Sequence, residues 1–149
     1  MQEVDLRFAA AGIFLLLCAA SDLRSKTLPV SLLLAVGVPA AGFDLFCLAG
    51  GKVSASELSL ACMPGVFLLL VHLAAGKQVG AGDGLAMLVC GLLLGWENCL
   101  WLLTAALLLC GAAGAVLMLA RKAEKTTKIP FLPFVLVSFL GVLCVQYAG

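Results

Sequence analysis

Residues 98 to 120 read NCLWLLTAALLLCGAAGAVLMLA, a run without one charged side chain, closed by Glu97 before it and Arg121 after it. As a helix rising about 1.5 Å per residue it would be about 35 Å long, enough to cross a hydrocarbon core about 30 Å thick. Comparable runs recur on either side, near residues 6–22, 28–49, 57–76, 83–96 and 129–148. The composition agrees: of 149 residues, 64% are hydrophobic and 11% charged, and the mean hydropathy of +1.19 lies outside the balance of a water-soluble domain. The expected fold is all-α, a polytopic integral membrane protein of about six transmembrane helices forming a single membrane-embedded domain over residues 1–149. No internal repeat or low-complexity tract divides the chain.

The breaks between runs carry the charges. SDLRSKT, GGKVSAS, GKQVGAG, GWEN and RKAEKTTK alternate between the two sides of the membrane. The first, third and fifth hold Arg24, Lys26, Lys77, Arg121, Lys122, Lys125 and Lys128, against Arg7 and Lys52 on the other side. Basic residues concentrate in cytoplasmic loops, so these three are expected to face the cytoplasm and both termini to face out, as in a bacterial inner-membrane protein. The loop at 121–128 also suits anionic membrane lipid. A net charge of +1 spread over short loops offers no face to nucleic acid. Cys18, Cys47, Cys62, Cys90, Cys99, Cys110 and Cys144 form no CxxC pair. They read as small apolar packing residues and not as a zinc site or disulfide framework. FLLLCAAS around Cys18 has the outline of a lipoprotein cleavage site, but Glu3 and Asp5 stand where a signal peptide carries positive charge and Leu17 stands where a small residue is needed. The small-residue pairs Gly91/Gly95 and Gly111/Ala115 read as close helix contacts.

The fourth run is too short to cross a full bilayer, and it opens on GAGDG, residues 80–84. Irregular backbone at membrane depth needs cover from protein or water, so this stretch is expected to line a water-filled notch. Gly80, Gly82 and Gly84 suit a backbone that bends and lets an extended substrate approach closely. Asp83 begins the fourth run and Asp22 ends the first, both on the side assigned to the cytoplasm. A carboxylate in or near the hydrocarbon is costly and invites a functional reading. Two that share a site hold one proton between them, so one activates water while the other protonates or polarises a peptide carbonyl. Asp83 at a helix amino terminus has the dipole in favour of its anion and Asp22 near a carboxy terminus does not, which assigns the shared proton to Asp22. The plainer readings are an ion pair of Asp22 with Arg24 or Lys26, and an N-cap at Asp83.

These residues resemble the type IV prepilin leader peptidases, membrane aspartic proteases of the GxGD type. DLRSKTLP at 22–29, GAGD at 80–83 and IPFLPF at 129–134 carry the resemblance, in order and each at a helix end on one side. Val30, Leu85 and Leu132 stand where the family often has asparagine, lysine and glycine. The resemblance implies Asp22 and Asp83 as the catalytic pair, and Pro29, Pro130 and Pro133 as shapers of the surrounding loops. It further implies cleavage of a prepilin or pseudopilin leader at the cytoplasmic face, in concert with pilus assembly machinery, with no metal or other cofactor. Lacking an added cytoplasmic domain with a cysteine cluster, the chain looks like the compact peptidase-only form associated with Flp-type pili or other short pilin-like substrates.

Two other readings stand beside this one. Membrane carboxylates also bind cations and relay protons, as in a small transporter, and an inactive relative would bind pilins without cutting them. The transporter reading is weakened because both acids fall at one membrane face, with no sign of a midplane site built from broken helices. His72, Asp44, Glu57 and Glu97 receive structural readings, the three acids being placed toward the outer side.

Overall fold

The computed structural model describes residues 2–25, 28–74, 80–119 and 131–148. Among these there are five helices and no strand: α1 Gln2–Ser25, α2 Val30–Ala49, α3 Ala55–Ala74, α4 Ala81–Leu119 and α5 Leu132–Ala148. The expected all-α membrane architecture is present. The first four helices are long and apolar enough to cross a membrane, and α5 is shorter. The fourth and fifth expected runs correspond to the two halves of α4, which is broken at Gly95. Lys26, Lys77, Arg121, Lys122, Lys125, Lys128 and Pro130 lie outside the described residues.

The helices begin where local chemistry lets them. Pro29 precedes α2 with φ −68°, and its carbonyl accepts from Leu32 and Leu33, an entry that uses proline's fixed φ. Ser54 precedes α3 and donates its backbone N–H to Glu57 Oε2 at 3.0 Å, one half of a capping box. In α4, Gly95 takes φ 78° and ψ 171°, a backbone conformation open essentially to glycine alone. In an unbroken helix Met87 and Cys99 would lie about 18 Å apart along the axis. Instead the Cys99 thiol donates to the Met87 carbonyl at 3.6 Å, so residues 81–94 and 96–119 fold back on each other as two antiparallel arms.

Close approaches fix the direction of each neighbour. On α3 and the first arm of α4, Ala61 meets Gly91, Gly65 meets Leu88, and Leu69 meets Gly84. Positions rise on one helix as they fall on the other, which makes the pair antiparallel. A side-chain carbon at Gly91 would sit 1.9 Å from the Ala61 carbonyl oxygen, and one at Gly65 would sit 2.6 Å from the Leu88 backbone. The small-residue reading therefore holds for Gly91. Gly95 instead makes the turn, and nothing lies within 4 Å of the space beside Gly111. Phe139 of α5 packs on Gly12 and stacks on Phe8 with ring centroids 6.3 Å apart, joining α5 to α1.

The core is narrow. On α1 it takes Phe8, Ala11, Phe14, Leu15, Cys18, Ala19 and Asp22, one face at helical spacing. Ile13, Leu16, Leu17 and Leu23 point outward, as do Phe46, Phe67, Trp101, Leu108 and Val145. An apolar exterior this extensive is what a lipid-facing surface requires. Cys18, Cys90 and Cys99 are fully buried in the core, whereas Cys144 is exposed.

Candidate active site

One end of the bundle collects the carboxy terminus of α1 and the amino termini of α2, α4 and α5. Asp22 lies there, on the inner stripe of α1 and 9% exposed. Its Oδ2 accepts from the backbone N–H of Leu132 at 3.4 Å. Leu132 is the first residue of α5 and is itself fully buried. The N–H groups of a helix's first turn lack intrahelical partners and point along the positive end of its dipole. Asp22 thus occupies an anion position at the amino terminus of α5, although it belongs to the last turns of α1.

Asp83 reaches a matching position by a different route. It is the third residue of α4, its backbone N–H donates to the Gly80 carbonyl at 3.1 Å, and its carboxylate folds back to accept from the Gly80 N–H. This is the reciprocal pattern of a capping box, with aspartate in place of the usual glutamate. The plainer reading of Asp83 as the N-cap itself is one turn off: Gly80 precedes the helix, and Asp83 closes the turn from inside. The side chain is half-buried, and it lies within range of the charge on Asp22.

The glycines differ in what they do. Gly80 is exposed, and a side-chain carbon there would lie 3.0 Å from Asp83 Oδ2. Gly82 and Gly84 are packing positions: added carbons would meet Leu28 at 2.8 Å and Leu69 at 2.8 Å. Ala81 to Gly84 form the first turn of α4, so the expected irregular glycine-rich loop is helical from Ala81 onward. Through Leu28 on Gly82, the segment between α1 and α2 is seated against the α4 terminus. Pro29 adjoins that contact, and Pro133 sits in the first turn of α5, where its missing N–H leaves no bond unmade.

Three contributors escaped the sequence reading. The Leu132 N–H was not foreseen as a partner of Asp22, since only a fold could bring the start of the last helix to the end of the first. That N–H offsets the dipole asymmetry that assigned the shared proton to Asp22, because that carboxylate, though in the last turn of α1, also meets the amino terminus of α5. Cys110, on the returning arm of α4, lies within range of the Asp83 charge, and Cys18 lies one turn from Asp22 within range of its charge. His72 stands in the last turn of α3. Val30 and Leu85 are exposed. Among the described residues, no group of three or more histidine, cysteine, aspartate or glutamate side chains is arranged to hold a metal ion.

Asp44 and Glu57 lie elsewhere. Asp44 is 5% exposed and Glu57 is exposed, and both line a cavity of about 200 Å³ at the opposite end of the bundle, with Arg7 and Trp96.

Helices of this length and surface, with a carboxylate pair gathered at one end, define a multi-pass membrane protein with a polar site built from helix termini. The chain matches the sequence model of the type IV leader peptidase family over residues 9–145, and it belongs to that family. Its general role is that of a prepilin leader peptidase, acting on prepilin-type substrates. No curated protein and no solved structure matches the chain significantly.

Proposed function

We propose that the protein is an aspartic endopeptidase that removes the short leader of a type IV prepilin-like precursor, with Asp22 and Asp83 as the catalytic pair. The observation that carries this reading is their juxtaposition: two carboxylates from helices distant in sequence, within range of each other's charge and each held by backbone N–H at a helix amino terminus. Two like charges brought onto one scissile bond share a proton. The ionised member takes a proton from water as that water attacks the scissile carbonyl, while the protonated member donates to the carbonyl oxygen. Collapse of the tetrahedral diol returns a proton to the leaving amine.

The leader lies on the cytoplasmic side, where the basic loops of this chain are expected, and the apolar helix of the precursor stays in the bilayer. The bacterial inner membrane is the compartment in which both conditions hold. Purified enzyme in detergent, given a precursor with a short basic leader ahead of an apolar helix, should yield the leader and mature chain by mass, with a metal chelator present. No cleavage of any such precursor would favour a pilin-binding relative without activity. Proton or cation flux through reconstituted protein, without cleavage, would favour the relay reading.

A further inference from the structure

Arg7 is the point of interest outside the site. It lies on α1 about 22 Å from Asp22 along the helix axis, at about 1.5 Å per residue. Its guanidinium meets two other helices at once. One nitrogen pairs with Asp44 Oδ1 of α2 at 2.8 Å, the other donates to the Leu92 carbonyl of α4 at 3.3 Å, and its plane lies 4.8 Å over the ring of Phe43. Leu92 is in the last turn before the break at Gly95, where carbonyls have no intrahelical donor and the dipole favours a cation. Asn98 closes the same turn by donating to the Leu94 carbonyl at 3.1 Å.

Groups of α1 thus meet the first arm of α4 at both ends. Arg7 grips its carboxy-terminal turn, and Asp22 lies within range of the charge on Asp83 at its amino terminus. Between them the core to which both helices contribute is apolar, with Ala11, Leu15 and Cys18 from α1 and Ala86 and Cys90 from α4. Apolar surfaces in a bilayer gain little by choosing one register over another, whereas a directional polar contact selects one. Phe43 and Asp44 restrain the guanidinium, which would otherwise extend toward the membrane edge.

We infer that Arg7, braced by Asp44, is a positioning residue that sets the axial register of α1 against α4 and hence the separation of the two aspartates. The inference rests on the reading of Asp22 and Asp83 as the catalytic pair. Sliding one helix by about an ångström is enough to cost about 100-fold in a reaction that needs two groups aligned on one bond.

The test has two readouts, one of which needs no activity. In protein whose native cysteines are replaced, Asp22→Cys with Asp83→Cys reports the separation through the rate of disulfide formation under mild oxidant. Adding Arg7→Met should slow that rate at least about fivefold, and Arg7→Lys should restore it to within about twofold. In protein with both aspartates intact, Arg7→Met should lower kcat about 10- to 100-fold with KM changed by less than about threefold, and Arg7→Lys should recover most of the loss. Asp44→Asn should move both readouts the same way by less, and it carries the test if Arg7→Met does not accumulate as folded protein. An unchanged cross-linking rate in folded Arg7→Met and Asp44→Asn would overturn the positioning role, whether or not activity falls. A slowed rate in a protein that cleaves no precursor would retain the role of Arg7 in register and remove the catalytic reading instead.

Discussion

At Gly91 a single added methyl group would place its carbon 1.9 Å from the carbonyl oxygen of Ala61, closer than any adjustment of a side chain can relieve. Gly91→Ala should therefore force α3 and α4 apart and cost about 1–3 kcal/mol, the usual range for overpacking. Gly111→Ala, with nothing within 4 Å, should leave the unfolding midpoint in detergent unchanged, and equal midpoints for the two variants would contradict the packing. Gly82 is intermediate, because the atom it would meet is the flexible end of Leu28. The sequence shows the glycines but not this ranking, since GAGDG alone gives no hint that Gly82 and Gly84 face different neighbours. Asp22 was more legible: it continues the stripe of Phe8, Ala11, Leu15 and Cys18, so its inward direction follows from helical spacing. What spacing cannot supply is its partner, the N–H of Leu132. Asp22→Asn keeps an acceptor oxygen for that donor, whereas Asp22→Leu leaves a buried N–H unpaired, which costs about 1–3 kcal/mol. The leucine variant should unfold at a lower detergent or heat challenge than the asparagine variant.

The element that departs most from its sequence reading is α4. Residues 83–96 and 98–120 read as two spans joined by GWEN, and the chain does reverse there, but through one residue, Gly95, with helix on both sides. The reason is conformational: φ 78° with ψ 171° lets a single glycine turn the chain where a longer loop would expose more carbonyls, and Asn98 and Arg7 satisfy Leu94 and Leu92. Because no atom lies within 4 Å of the added carbon, Gly95→Ala isolates backbone strain from crowding. It should destabilise the protein by about 1–3 kcal/mol, read as a shift in denaturation with the helix content preserved. A variant as stable as the parent would show that the turn does not depend on glycine. α1, α2 and α3 could be read from apolar run length alone. α5 was harder, because residues 129–148 look like a full span while the described helix begins only at Leu132.

The whole molecule has two polar ends and an apolar waist. One end holds Asp22, Gly80 and Asp83; the other holds Arg7, Asp44, Glu57 and the Gly95 turn. If basic loops face the cytoplasm, an impermeant thiol reagent applied to intact cells should label Lys52→Cys and spare Arg24→Cys, in protein without native cysteines. Labelling of Arg24→Cys from outside would invert the orientation and separate the aspartates from a cytoplasmic leader. The sequence placed Asp22 and Asp83 on a common side, and both lie at one end of the bundle; it carried no sign of the Arg7–Asp44 link, because residues so far apart in the chain meet only once α1, α2 and α4 are packed. The central claim is that the two carboxylates act as one catalytic unit, and leader release by purified Asp22→Asn and Asp83→Asn, each confirmed as folded, tests it most directly. Each variant should lose cleavage by about 10²- to 10⁴-fold while His72→Ala retains most activity; near-parental cleavage by both aspartate variants would contradict the account.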